Sequence, residues 1–248
     1  MGFKTFLEKA DKPKEYTEKE LEQREEKKGK AVRKLAKNIG TLKSKVTKDL
    51  SSDDEKTQLT ALAVALMNDT KERIGNDKSA EGYRKDEDGN EVKGDKHYGV
   101  TGWRKEHVKF GNGNATISYV GKSGVKQKKV VSDSKIVSTL KKFADMNDDY
   151  IFTTSEGTKV SAPQVNAYLE PFEVSAKDIR GYGANELIIK ELNAVKAPAD
   201  EAERKKLFLD IASKVADSLG HSPTMLRNSY LLPDLEEMYL KSGRVKKL

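Results

Sequence analysis

The stretch "LGHSPTMLRNSY" places His221 just before the start of a helix and Tyr230 nine residues further on, in a chain with three histidines. Ser222 is a favoured N-cap residue and Pro223 a favoured first residue, so a short helix is predicted between the two side chains. A tyrosine that follows a histidine is usually only a packing neighbour. The pair indicates chemistry only if the rest of the chain supplies the groups that such chemistry needs.

Two arginines are candidates for those groups. Arg73 lies in "DTKERIGN", where the pattern predicts that a core helix ends near Gly75. Arg180 follows a capping-box pattern, Ser175 with Asp178, that predicts a helix start. An arginine near a helix N-terminus opposes the helix dipole, so stability alone does not favour it. Two plain interpretations stay open, a helix C-terminus for Arg73 and a surface ion pair for Arg180.

A lysine, Lys122, lies in "GKSG" between two strand-like runs, which predicts the tip of a β-hairpin. The motif is not a phosphate-binding P-loop, because that loop needs a glycine five residues before Gly121, where the chain has Thr116. The run "YVGKSGVKQKKVV" holds four lysines and no acidic residue. Lys122 is therefore either a solvated side chain or one that reaches into a DNA groove.

Together these residue types suit the cleavage of a phosphodiester by a tyrosine hydroxyl. Attack by Tyr230 would build negative charge on phosphorus oxygens, which Arg73, Arg180 and His221 could stabilise as fixed positive donors. Lys122 could donate a proton to the leaving sugar oxygen as a general acid. Cations near Tyr230 would favour its phenolate form. A covalent phosphotyrosine would conserve the bond energy, so religation would require neither ATP nor metal.

These segments resemble the catalytic domain of type IB DNA topoisomerases, most closely the small poxvirus-like enzymes. The resemblance implies that Tyr230 is the nucleophile and forms a 3′-phosphotyrosyl intermediate on one strand. It implies that Lys122 is the principal proton donor to the leaving 5′ oxygen, and that Arg73, Arg180 and His221 contact the transition state. The implied activity is relaxation of supercoiled duplex DNA. The matching pieces occur in family order: "RIGN", "YGVTGWRKEHVKF", "YVGKSGV", "KDIRGYGAN" and "LGHSPTMLRNSY".

The pattern of elements predicts an α+β, mainly α fold of the topoisomerase IB and tyrosine-recombinase type. Three strand-like runs predict a small antiparallel sheet with its hairpin, at about 98–131. A core helix precedes the sheet, and residues 76–97 have the composition of a charged loop. Helical patterns then follow over residues 134–146, 162–169, 177–192, 201–219, 223–230 and 234–242.

The amino-terminal part is predicted to differ from the rest. Residues 1–50 are expected to be a basic arm and helix that contacts DNA, and residues 51–248 the catalytic domain. Residues 1–16 suggest an extended arm. Residues 17–37 are strong helix formers with few large apolar side chains, which predicts a solvated helix or one that orders on a partner. Nine basic residues and no acidic one lie between Lys27 and Lys48, a local excess suited to phosphates.

Composition narrows the partners. The net charge of +7 suits a polyanion and also many solvated surfaces. The absence of cysteine excludes disulfides, thiol catalysis and Cys-based zinc sites, and we expect no metal and no cofactor. Without a signal-like or membrane-spanning segment, we expect a soluble monomer of the cytoplasm, nucleus, viral factory or virion. Double-stranded DNA is the expected partner. Further candidate DNA contacts are Arg104, Lys105, Lys126, Lys128, Lys129, Lys177, Tyr182 and Arg227.

The alternative is a tyrosine recombinase or integrase, which shares the fold and most of the active site. Recombinases usually have a histidine three residues before the arginine that matches Arg180, and this chain has Lys177 there, as in the topoisomerases. They also usually carry an amino-terminal DNA-binding domain, for which we expect this chain to be too short. A catalytically silent relative would have lost Tyr230 or an arginine. The chain keeps them.

Overall fold

The computed structural model describes residues 17–86 and 88–248, so the predicted arm at residues 1–16 lies outside the described part. The described fold is mainly helical with two small antiparallel sheets, which confirms the predicted fold class. The helices are α1 (Glu18–Asp49), α2 (Glu55–Thr70), α3 (Asp77–Ala80), α4 (Ser134–Met146), α5 (Ala162–Leu169), α6 (Ala176–Ala194), α7 (Glu201–Ser218), α8 (Pro223–Ser229) and α9 (Leu235–Ser242). The strands are β1 (Tyr83–Lys85), β2 (Glu91–Lys93), β3 (Val108–Gly111), β4 (Asn114–Val120) and β5 (Lys126–Val131).

Helix α1 is longer and more deeply packed than the sequence predicts. Its few large apolar residues fall on one face, and Leu35, Leu42 and Val46 are buried in the main core. The basic residues occupy the other faces, and Lys28 Nζ donates to the carbonyl of Asn228 at the end of α8, 3.1 Å away. The prediction of a solvated helix that ends near residue 37 is therefore wrong. A narrow apolar stripe is enough when a core lies beside it.

Helix α2 ends earlier than predicted. Its last turn closes at Lys71, which has a left-handed backbone with φ 59°. Arg73 therefore lies in the loop that follows the helix, and this loop is fixed by its backbone: Val100 N–H donates to the Arg73 carbonyl at 2.9 Å. Gly99 packs directly on the loop, since a Cβ there would lie 2.5 Å from the Cα of Gly75. Two glycines thus allow the close approach that holds Arg73 in place.

The predicted three-stranded sheet is confirmed, with the order β3-β4-β5 and both pairs antiparallel. Its first strand is shorter than predicted, because residues 100–102 and 105–107 form turns of 3-10 helix. The prediction of a charged loop at 76–97 is wrong in part, since α3 and the β1–β2 hairpin lie there. The hairpin turn is closed by the Asp86 carboxylate, which accepts from the backbone of Asn90 at 2.8 Å.

The carboxy-terminal helices agree with the predicted spans to within two residues at either end. Helices α6, α7, α8 and α9 build a second core around Phe208 and Tyr239. Helix α6 belongs to both cores, because Ile179 packs in the first and Ile188 in the second. The middle of α6 is therefore held from two sides. In the described part of the chain, no helix is both long and apolar enough to cross a membrane.

We predict that the buried stripe of α1 is essential for folding. Leu35→Ala removes a side chain that is 0% exposed and should lower the free energy of unfolding by about 2 to 5 kcal/mol. Leu21 lies on the same helix and is 48% exposed, so Leu21→Ala should change it by less than about 0.5 kcal/mol. Urea unfolding followed by circular dichroism measures both. Equal effects would show that α1 does not pack as described.

Candidate active site

Two arginines converge on the ring of His221. Arg73 Nη2 lies 3.2 Å from Nδ1 of the imidazole, and Arg180 places Nη2 at 2.9 Å and Nε at 3.2 Å from Nε2. The three residues come from the loop after α2, from α6 and from the segment between α7 and α8. The structure thus brings together side chains that are distant in the chain, since Arg73 is 148 positions and Arg180 41 positions from His221.

Arg180 is buried, with a relative exposure of 2%. The predicted capping box forms, since the backbone N–H of Ser175 donates to the Asp178 carboxylate at 2.8 Å, and it places Arg180 in the first turns of α6. The guanidinium donates to the carbonyls of Lys71 and Leu219, both at 2.5 Å. The interpretation of Arg180 as a surface ion pair is therefore wrong. Its orientation is fixed by main-chain acceptors on two separate segments.

His221 is neutral in this environment. Burial is the main cause that lowers its pKa to about 3, and the nearby charges of Arg180, Arg73, Lys122 and Lys129 lower it further. The predicted contact of His221 with a phosphate stays a prediction. At neutral pH the ring can serve as a hydrogen-bond donor and acceptor, and the positive charge of the site belongs to the arginines and lysines.

The hydrogen bonds favour one tautomer of the His221 ring. Nε2 receives two N–H groups of Arg180, so it must be the acceptor and the proton must lie on Nδ1. Met225 Sδ, a weak acceptor, lies 3.2 Å from Nδ1. Arg73 Nη2 then faces an N–H group at 3.2 Å and gains no acceptor there. The guanidinium of Arg73 therefore has no hydrogen-bond acceptor on the His221 ring. An incoming anion could supply one.

Tyr230 lies against this cluster. It occupies the C-cap of α8, where its N–H donates to the Leu226 carbonyl, and it is 8% exposed. The ring centroids of Tyr230 and His221 are 4.8 Å apart, with the planes tilted by 45°. The guanidinium carbon of Arg180 is 5.8 Å from the centroid of the Tyr230 ring. The predicted nucleophile and the three predicted phosphate contacts therefore share one site.

Lys122 lies at the tip of the β4–β5 hairpin, as predicted, in a turn formed by Lys122–Gly124. Its side chain is exposed. Its charge contributes to the lowered pKa of His221, so it is within electrostatic reach of the cluster. Within the described ranges, no group of three or more histidine, aspartate or glutamate side chains is arranged to hold a metal ion.

The other candidate DNA contacts fall into two sets. Lys105, Lys126, Lys128 and Lys177 are exposed. The remaining four have partners within the protein. Arg104 pairs with Asp149, Lys129 with Glu72 and Arg227 with Glu236, and the buried Tyr182 donates its hydroxyl hydrogen to Glu186. DNA contact by any of the eight stays a prediction.

Two residues that the sequence did not single out support the site. Asn185 is 0% exposed, and its amide donates to the Tyr230 carbonyl at 2.8 Å and accepts from the backbone of Leu232 at 2.9 Å. The sequence signal for a buried Asn185 is that it lies on α6, five residues after Arg180, on a helix face whose other residues are apolar or small. Glu72 is 3% exposed and ion-pairs with Arg180 at 3.5 Å. Periodicity gives no signal for a buried acid next to Arg73.

Comparison with known proteins identifies the family. The model of the family described as "Eukaryotic DNA topoisomerase I, catalytic core" matches residues 17–247, and the chain belongs to this family. It is 24% identical to the DNA topoisomerase 1B of Acanthamoeba polyphaga mimivirus over 90% of this chain and 68% of the relative. It is 25% identical to the DNA topoisomerase I of monkeypox virus over 56% of this chain and 44% of the relative. The predicted resemblance to poxvirus-like type IB topoisomerases is confirmed.

A solved structure of the XerH site-specific recombinase bound to its difH substrate is also similar. It shares 15% sequence identity and covers 86% of this chain and 52% of that chain, with a TM-score of 0.46. The chain spans less than half the length of the monkeypox relative and about two thirds of the mimivirus relative.

We predict that Asn185 holds Tyr230 in place. Asn185→Ala leaves the Tyr230 carbonyl and the Leu232 N–H buried without partners, so the free energy of unfolding should fall by about 2 to 4 kcal/mol. Single-turnover DNA cleavage by the folded fraction should slow by about tenfold or more, because the nucleophile is less well fixed.

Asn193 provides the matched control, since it makes the same pair of hydrogen bonds from α6 to the backbone of Val245. Asn193→Ala should lower stability without slowing cleavage per folded molecule. The assignment fails if Asn185→Ala cleaves DNA as fast as the unchanged protein.

Proposed function

We propose that this protein relaxes supercoiled duplex DNA by cutting one strand through a 3′-phosphotyrosyl intermediate and rejoining it, with Tyr230 as the nucleophile. The observation that carries the proposal is the cluster of Arg73, Arg180 and His221 against the Tyr230 ring. Membership in the topoisomerase family supports it. Cations fixed around a tyrosine are suited to a phosphodiester, because the attacked phosphorus gathers negative charge on its oxygens.

In the cleavage step, the Tyr230 hydroxyl oxygen forms a bond to phosphorus and its proton passes to solvent. The bond between phosphorus and the 5′ oxygen breaks, and Lys122 gives a proton to that leaving oxygen. Religation is the reverse, with the 5′ hydroxyl as the nucleophile and tyrosine as the leaving group. Because the phosphotyrosyl bond conserves the free energy of the broken bond, the cycle needs neither ATP nor metal.

The arginines and the histidine would share the phosphate oxygens. In the structure, the guanidinium group of Arg73 contacts Nδ1 of the His221 ring and that of Arg180 contacts Nε2. A phosphate anion in front of them offers both arginines a charged acceptor that a neutral imidazole cannot equal. A hydrogen bond from His221 to the same phosphate would add a neutral donor. The anion would also raise the pKa of His221, because it offsets the nearby cations that lower it.

We propose that the protein acts as a monomer and that its partner is duplex DNA. Lys105, Lys126, Lys128 and Lys177 are exposed and are proposed to contact phosphates away from the reacting one. The exposed basic face of α1 is proposed to contribute as well, while its opposite face packs in the core. We further propose that the protein acts in the cytoplasm, the nucleus or a viral compartment, free of membranes.

The proposal predicts relaxation of both positive and negative supercoils by the purified protein in EDTA without ATP. Tyr230→Phe lacks the attacking oxygen, so relaxation and the covalent protein–DNA adduct should both disappear. Tyr83 on β1 is the control, and Tyr83→Phe should retain full activity. Plasmid relaxation on agarose gels and denaturing gels of the adduct measure both products. Full relaxation by Tyr230→Phe would refute the assignment.

A further inference from the structure

Lys129 points into the protein although it lies in the lysine-rich strand β5. Side chains alternate along a strand, so Lys126 and Lys128 share one face, which is exposed, and Gln127 and Lys129 share the other. The Lys129 side chain is 15% exposed, and its Nζ lies 3.0 Å from the Glu72 carboxylate. The same ammonium donates to the carbonyl of Ser218 at 2.7 Å. The Lys129 ammonium therefore has its partners within the protein.

Glu72 joins the hairpin to the buried arginine. One of its oxygens pairs with Lys129 at 3.0 Å and the other with Arg180 at 3.5 Å. Burial raises the pKa of the Tyr119 hydroxyl on β4, and the charge of Glu72 raises it further, so Tyr119 also lies near this carboxylate. A buried carboxylate is stable only when its charge is compensated, and here two cations compensate it. Removing one cation leaves the other in place.

The hairpin also docks on the segment that carries His221. Lys129 and Arg180 donate to the successive carbonyls of Ser218 and Leu219, at the end of α7. Cations at this end of a helix are favoured by the helix dipole. The next residue, Gly220, has φ 64°, and a Cβ there would lie 2.1 Å from Gln127 Nε2. Strand β5 therefore rests on the last residues before the imidazole.

We propose that Lys129 and Glu72 are positioning residues whose ion pair docks the β4–β5 hairpin onto Arg180 and the end of α7, and so fixes Lys122 for proton transfer. This inference rests on the proposed function, because it assigns Lys129 an action through Lys122. Lys129→Met keeps the ion pair between Glu72 and Arg180 and removes the contacts of β5 with the Glu72 carboxylate and the Ser218 carbonyl. The defect should therefore fall on protonation of the leaving oxygen.

The test compares single-turnover cleavage of two duplexes with the same mapped cleavage site, one with the natural 5′ oxygen and one with sulfur in its place. Lys129→Met should slow cleavage of the oxygen substrate by about tenfold or more, as expected for a misplaced catalytic group. Its rate on the sulfur substrate should stay within about threefold of the unchanged protein, because a thiolate leaves without protonation.

Three further variants define the result. Lys122→Ala should show the same pattern more strongly. The double variant of Lys122→Ala with Lys129→Met should be no slower than Lys122→Ala alone, since both act on one step. Lys109→Met, on an exposed position of β3, should match the unchanged protein on both substrates. Lys129→Gln, which can still donate to the Ser218 carbonyl, replaces Lys129→Met if that variant does not fold.

Equal slowing of both substrates by Lys129→Met would overturn the inference, because Lys129 would then act on the phosphate contacts or on folding. An unchanged rate on the oxygen substrate would overturn it as well. If Lys122→Ala itself shows no recovery with sulfur, the general-acid role in the proposed function fails. Recovery for Lys122→Ala without recovery for Lys129→Met leaves the proposed function intact and removes only the positioning role.

Discussion

The contact of two guanidinium groups with one neutral imidazole is the constraint on which the site depends. Two arginines at such short range repel each other, and burial removes the water that would screen them. The His221 ring separates them, and its pKa of about 3 keeps it uncharged. The Lys71 and Leu219 carbonyls and the Glu72 carboxylate hold Arg180 from the other side. The remaining positive potential can be relieved by an anion, which is what a phosphodiester supplies.

The fold meets this constraint by holding each contributor through contacts with a different segment of the chain. Helix α6 carries Arg180 and packs in both cores. Arg180 therefore cannot move away from its carbonyl acceptors unless the packing of both cores changes. Asn185, further along α6, ties the Tyr230 backbone to the same helix. The loop that carries Arg73 packs closely against the backbone of Gly99. Helix α1 supports the far side through Lys28, which donates to the end of α8 just before Tyr230.

Much of this arrangement follows from local sequence signals. The caps at Ser175 and Ser222 gave the starts of α6 and α8, and the "GKSG" turn gave the hairpin that carries Lys122. Long-range compensation of charge was not predictable from them. The burial of Arg180, the neutral state of His221 and the inward direction of Lys129 all depend on partners from distant segments. The burial of α1 was not predictable for the same reason, since its apolar stripe is narrow and the core that covers this stripe is built by distant segments.

The most direct measurement is an NMR titration of His221 in the free protein, using its two ring nitrogens. The chain has three histidines, so His221→Gln identifies the signals by their loss. The account predicts a neutral ring across pH 5 to 7, with the proton on Nδ1 and a pKa of about 3. A pKa near the ordinary value of about 6.5, or a neutral ring with its proton on Nε2, would contradict the hydrogen bonds from Arg180 to Nε2 of a neutral ring.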